Sequence, residues 1–441
     1  MKKQYFNDIN EYLFSFLNEN EILKTRLWGE NSQFVRLNNS KVRQTGIVND
    51  MSYSMCLISN EKQVTCSLTI TGSFDVDKTS IMILLKKLRD DLKQVPKDPY
   101  IVYPNSSKNT SEVNKGFLPE FDKSIDLLLP SMQGVDLTGI WASGSIYSGV
   151  ANSLGQNHWF ETETFSLDYS LITVGQKMVK DCFAGTHWNQ KKYEEYMIES
   201  KSKIQIMEKD SVKINPGNYR AYIAPAGVAD IVDMFSWGGL SESSLQQKDS
   251  ALLKMREENA KLSPCFTLTE DFSSGMVPRF NSNGEIAPES LPLIVNGDLK
   301  NTLVSTRTEK EYGVNSNFAS DSEGLRSPIV SKGEIDEKEI LSKIDKGVYL
   351  SNLHYLNWSD RLGGRITGMT RYACFYVENG EIVAPIENMR FDDTIYNIFG
   401  KELENSTNNL HLIPNVGTYD GRNLGGTYCP GILLNSFSLT L

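Results

Sequence analysis

Apolar residues recur at helical spacing over residues 5–24, where Phe6, Ile9, Leu13, Phe16 and Leu17 share one side, and this predicts an opening amphipathic helix. Two strand-like runs follow, Gln33–Leu37 and Gly46–Ile58, joined by the turn-prone Asn38-Asn39-Ser40, and a third run covers Gln63–Ile70. Ile81–Leu92 reads as a second helix, with Ile81, Leu84, Leu85 and Leu88 on one face. Residues 104–116, rich in Ser, Asn, Thr and Lys, read as a surface loop. Beyond them the pattern predicts a helix over Phe121–Met132, strands through Gly139–Thr173 and a long charged helix over Gln190–Lys209.

Asn215-Pro216-Gly217-Asn218 makes a hard turn, and the main domain boundary is placed there. The division gives an N-terminal α+β domain over 1–214, with a sub-boundary near 104–116, and a β-rich domain over 215–441. The second part opens with a strand, Tyr219–Ile223. A helix follows, started by Pro225 at a favoured first position and striped by Val228, Ile231, Val232 and Phe235. Residues 241–263 are mixed. From 265 onwards short strands alternate with Gly, Pro and Asn, with helices expected at 336–345 and around 394–404. The fold class is α+β, with antiparallel sheets dominating the second domain.

Near the C-terminus strand-forming residues alternate with charge. His354, Asn357, Asp360, Arg361, Arg365 and Arg371 crowd together, and Arg390 and Asp392 follow. Guanidinium groups spread over adjacent strands present forked donors suited to carboxylates or peptide carbonyls. The same residues also fit an ion-pair network that fixes strand register, with Asp360 or Asp392 neutralising the arginines. Gly363, Gly364 and Gly368 suit a tight turn or close backbone approach under either reading.

This block resembles the C-terminal domain of the TldD/PmbA family, the modulators of DNA gyrase. Asn31–Asn38 and Lys41–Gly46 resemble its first-domain hairpin, Gly149–Gly155 its central small-residue turn, and Pro216–Arg220 with Ala224-Pro225 the start of its last domain. The resemblance implies a two-lobed subunit whose β-rich domain pairs with another subunit around a cavity for extended peptide. Active members carry HExxxH on the helix after that strand, where two imidazoles hold zinc and the Glu polarises the bound water. Here the equivalent stretch, Ala224–Gly238, contains no histidine, and His158, His187, His354 and His411 are scattered.

In this the chain is similar to the TldE/PmbA branch. The resemblance then implies no metal and no cofactor in this chain, with zinc only in a TldD-like HExxxH partner. A homodimer is the alternative assembly, and peptide or unfolded protein the substrate. The cavity candidates are Asn357, Asp360, Arg361, Arg365, Arg371 and His354.

Two other functions stay open: a stand-alone hydrolase with a site rearranged around His354, the arginines and Cys429, or a non-catalytic peptide-binding regulator. Asp230 and Asp233 read as the polar side of their helix, His158 as a packed polar residue and Cys429 as a packed thiol.

Composition narrows the field. A net charge of −10 argues against a general nucleic-acid binder. Asp8, Asn10 and Glu11 interrupt any leader-like apolar run, so no signal peptide is expected. No apolar run approaches the roughly 20 residues a spanning helix needs. The six cysteines lack CxxC spacing, which fits free, mostly buried thiols in a reducing cytoplasm.

Overall fold

The computed structural model describes residues 2–103, 108–419 and 421–441. Its first half is built from α1 (Lys2–Phe14), β1 (Ile22–Asn38), β2 (Lys41–Ser59), β3 (Lys62–Thr69), α2 (Phe74–Leu92), β4 (Asn109–Asn114), α3 (Ser124–Met132), β5 (Asp136–Asn152), β6 (Asn157–Ile172), β7 (Met178–Gly185) and α4 (Gln190–Met207). These strands make one sheet in the order β3-β2-β1-β5-β6-β4, with β7 beside β6. One face of its β1–β3 end carries Leu23, Leu27, Tyr53 and Met55, which pack against Phe6, Ile9 and Leu13 of α1 and Ile81 and Leu85 of α2.

Several expectations move here. The opening helix stops at Phe14 because Asn18 and Glu21 form a side-chain-locked turn. After that turn Leu23, Thr25 and Leu27 are buried at period two, so this stretch belongs to a strand that runs on through Asn38. The loop expected over 104–116 is part strand: Asn109–Asn114 pairs parallel with β6 from Asn157 to Thr162, whereas residues 104–107 lie outside the described residues. The expected helix at 394–404 is a single π-type turn, Asn397–Lys401, broken at Gly400.

The second half begins with β8 (Gly217–Ile223) and α5 (Pro225–Asp233), then β9 (Leu268–Asp271), β10 (Ser290–Val295), β11 (Asp298–Leu299) and β12 (Pro328–Val330). It ends with β13 (Gly347–Asp360), β14 (Arg365–Glu378), β15 (Glu381–Pro385), β16 (Arg390–Thr394), β17 (Leu403–Ser406), β18 (His411–Pro414), β19 (Gly426–Cys429) and β20 (Ile432–Leu439). One sheet runs β11-β10-β9-β12-β19-β18. The other runs β13-β8-β20-β16-β14-β15, and an added β13–β14 pairing closes five of its strands into a ring. Ile223, Val348, Leu350, Ile366, Phe391, Leu434 and Phe437 belong to the core of this half, together with the apolar stripe of α5.

Sheet membership changes at the Asn215 turn, but the cores do not separate there. Ala373 and Phe375 of β14 are buried in the cluster formed by Trp141, Phe165, Leu167 and the α4 residues Tyr193 and Met197. The architecture is α+β, with mostly antiparallel pairing.

Candidate functional site

Helix α5 follows a parallel β8–β13 pair and begins with Pro225, whose missing N–H costs nothing at a helix start. Val228, Ile231, Val232 and Phe235 are fully buried, so the opposite side, bearing Asp230 and Asp233, turns outward. Asp230 is reached by solvent although protein surrounds it on most sides. That crowding pushes its carboxyl up to about 7, against the pull of the Leu353 N–H and the Lys180 ammonium. Under the first turn of the helix, Cys429 Sγ donates to the Pro225 carbonyl at 3.2 Å and has no exposed surface. Burial raises the thiol far above its ordinary value, so it stays protonated.

His354 and Arg371 are the two predicted site residues that the structure brings into contact. Their strands pair with breaks in register, Asn352 opposite Arg371 and His354 opposite Met369, and the neighbouring Tyr355 and Tyr372 adopt φ of 52° and 67°. Left-handed backbone at two tyrosines is costly, and it marks a bulged, locally strained segment. Across it Arg371 Nη1 donates to His354 Nε2 at 2.6 Å. Burial, then the Arg371 and Lys180 charges, lower the imidazole's affinity for a proton, so it is neutral and its own proton sits on Nδ1. Lys180 itself pairs with Asp168 at 3.0 Å.

The other candidates disperse. Arg361 pairs with Asp249 at 2.8 Å and Arg365 with Asp392 at 3.0 Å, while Arg390 Nε donates to Thr367 Oγ1 at 2.9 Å. Among the described residues Asp360 forms no ion pair with an arginine. It accepts the Gly363 N–H at 3.0 Å and so shapes the tight turn, where Gly364 takes φ +65°. Asn357 is exposed opposite Thr367. The arginines thus have separate partners, Arg361 in the turn after β13 and the others on β14 and β16, and the Arg365–Asp392 ion pair bridges those two strands.

Sequence reading missed a second constellation. Arg422, from the segment between β18 and β19, is 5% exposed and reaches into the first sheet. Its Nη1 donates to Ser32 Oγ at 3.3 Å and the Gly144 carbonyl at 3.2 Å, and its Nη2 to Thr164 O at 3.0 Å and Oγ1 at 2.6 Å. Glu30, 1% exposed, accepts the Arg422 N–H at 3.2 Å. Burial lowers the Arg422 pKa to about 10, with the Glu30 charge opposing. Beside this strap lies a cavity of about 830 Å³ lined by β1, β5 and the loops around 280, 320 and 420. Nothing local in the sequence marks it, because its walls come from distant segments.

The four histidines occupy separate places: His158 bonds Thr110, His187 bonds Thr186, His354 bonds Arg371 and His411 bonds Glu337. His158 is fully buried and stacked on Phe280, as a packed residue. Among the described residues no group of three or more His, Cys, Asp or Glu side chains is placed to hold a metal ion. The donors at α5, two carboxylates and a buried thiol, do not fit an HExxxH zinc centre.

Residues 216–441, just over half of the chain, match the PmbA/TldA metallopeptidase C-terminal domain. The chain belongs to the PmbA/TldD family. No curated protein matches it in sequence. Among solved structures it is similar to a protein named as a modulator of DNA gyrase from Bacteroides thetaiotaomicron, at 14% identity and TM-score 0.80, covering 100% of both chains. A like-named protein from Thermotoga maritima gives 15% identity and TM-score 0.77 over 99% of this chain and 100% of that one. TldE from Thermococcus kodakarensis gives 14% and 0.75 over 99% and 100%. At these identities the likeness establishes a fold common to the PmbA/TldD family across the whole chain.

Among the described residues no helix is long and apolar enough to cross a membrane. The six cysteines are all free, but fewer are buried than expected: Cys374 and Cys429 are, Cys265 is exposed and the others lie between.

Proposed function

We propose that this chain is a metal-free, TldE-like subunit of a TldD/TldE-type peptidase assembly, working in the cytoplasm and shaping a peptide-binding chamber for a zinc-bearing, HExxxH-containing partner. The observation that carries this is the chemistry of α5. The helix that bears the metal ligands in active relatives here presents Asp230 and Asp233 outward, has no imidazole, and covers a thiol held protonated by burial. A protonated, inaccessible sulfur neither attacks a carbonyl nor binds zinc well, which also weighs against a stand-alone hydrolase built around Cys429. Free thiols fit a reducing compartment.

In this reading the open face of β13, β14 and β16, with Asn357, Arg365, Arg371 and Arg390, faces the chamber and holds peptide carbonyls, and the His354–Arg371 contact fixes the bulge that shapes it. The two domains, 1–214 and 215–441, act as one body through the core they share around Phe375. The test is co-expression with an HExxxH family member from the same cell. A co-purifying complex that cleaves unfolded peptide, with each chain inactive alone, is expected. Zinc-dependent cleavage by this chain by itself would sink the proposal.

A further inference from the structure

Arg26 and Trp28 of β1 line the large cavity, flanked along the strand by Lys24, Glu30 and Ser32. Lys24 Nζ donates to Asn283 Oδ1 at 2.6 Å, and Trp28 packs beneath Gly421. Glu30 and Ser32 both accept from Arg422. Between them Arg26 lines the cavity and, among the described residues, has no hydrogen-bond or ion-pair partner. The side chain is exposed to the cavity yet crowded by protein, and that crowding lowers its pKa with no carboxylate among the described residues pushing the other way.

The other guanidinium groups at the cavity are already committed. Arg326 donates to the carbonyls of Pro278, Arg279 and Phe280, and Arg422 to the first sheet. Asp321 is held by Ser282 and Asn283. Among the described residues the lining thus combines one unpartnered fork of donors, the rings of Trp28 and Phe280 with Tyr419 at the rim, and neutral polar groups such as Ser148, Ser322 and Asn423.

We propose that this cavity receives a peptide carboxylate on Arg26, with the adjoining residues of an extended peptide lying against Trp28, Phe280 and Tyr419. A guanidinium presents two parallel N–H donors that match a carboxylate, and pairing is strongest where the cation has no internal partner to give up. The volume, about 830 Å³, falls in the ordinary range of small-ligand sites, roughly 300–1,000 Å³, and suits a segment of a few residues. A phosphate dianion is less well matched, since phosphate sites gather several cations or backbone N–H groups. Here, among the described residues, Arg26 is the cation without a partner, and the Asp321 carboxylate shares the wall. The assignment rests on the peptide-handling function proposed above and adds selectivity for charge at a defined place.

The experiment is calorimetric titration of the full chain with three short aromatic-containing peptides: one with a free C-terminus, its C-terminal amide, and an amide with an internal Asp. At least one of the two carboxylate-bearing peptides is expected to bind about tenfold or more tightly than the plain amide, and which one does identifies the carboxylate's source. Arg26→Ala should erase that advantage and Arg26→Lys should keep part of it. Both should melt with the parent, because Arg26 gives up no internal contact. Equal binding of all three peptides, an advantage that survives Arg26→Ala, or binding of inorganic phosphate with no peptide bound would each overturn the assignment. Failure of the HExxxH mixture to cleave peptide is the separate result that defeats the underlying function.

Discussion

Replacing Arg422 by Ala removes the one cation that ties the segment between β18 and β19 to the first sheet, and the size of the loss follows from its surroundings. Four charge-assisted side-chain hydrogen bonds are lost, to Ser32, Gly144 and twice to Thr164. At about 1.5–3 kcal/mol for each such bond a simple sum overshoots, since returning the guanidinium to water regains much of it. What remains is a Glu30 carboxylate at 1% exposure, with Oε2 already unpartnered and its counter-charge gone. Glu30 keeps its bond from the Arg422 backbone N–H, but stranding the buried acceptors of Ser32, Gly144 and Thr164 costs about 1–3 kcal/mol and more beside a charge, so we expect Arg422→Ala to cost about 3 kcal/mol.

Urea denaturation followed by tryptophan fluorescence measures it, read as a lower midpoint with the slope unchanged. Arg422→Lys keeps charge but loses the fork and should fall between. Adding Glu30→Gln to Arg422→Ala should recover about 1 kcal/mol or more, because the stranded charge is then absent. A loss below about 1 kcal/mol for Arg422→Ala, or strict additivity in the double variant, would refute the reasoning.

Phe375 belongs to β14 yet is fully buried in the core of the first half, so Phe375→Ala should cost about 3–5 kcal/mol and lower the melting of both halves together, checked by hydrogen exchange over α4 and β13. Glu337 raises the pKa of His411 across a 2.5 Å contact, and His411 lowers that of Glu337. The histidine's contribution is complete below its unfolded value, about 6.5, and fades as pH rises through its raised folded value. The glutamate's is complete above its unfolded value and fades as pH falls through its lowered one. His411→Gln should therefore lower the melting temperature most between about pH 4.5 and 6.5, and least near pH 9. Asp230 has the opposite tendency for a carboxylate: its raised pKa makes ionisation disfavour the fold, so Asp230→Asn should gain melting temperature over the parent from pH 5 to pH 8, with no gain below pH 4. Gly364→Ala forces a side chain into φ +65° with its Cβ 2.9 Å from the Tyr396 ring, and should cost about 1–3 kcal/mol, seen as an earlier urea midpoint.

Local order carries much of what was legible. The stripe and Pro225 fixed α5, and the missing imidazoles on it follow from residue identity alone, so both were readable before any contact was known. Strand-forming residues likewise marked β3 and the Gly139–Thr173 stretch that holds β5 and β6. The first helix was read too long because Phe16 and Leu17 continue its spacing, and only the turn held by Glu21 ends it. The charged hairpin was visible as composition, but whether its arginines converge depended on partners such as Asp249, 112 positions from Arg361.

The strap is the extreme case. Arg422 meets Glu30 across 392 positions, and no local pattern encodes a pairing at that distance. Periodicity reports which way a side chain points from its own backbone, whereas a buried charge is tolerated only where remote groups converge to satisfy it. The sequence by itself therefore determined α5, the long helix α4, many of the strands and the chemistry that α5 lacks. Tertiary structure alone decided which cations meet partners inside the protein and that, among the described residues, Arg26 faces the large cavity without one.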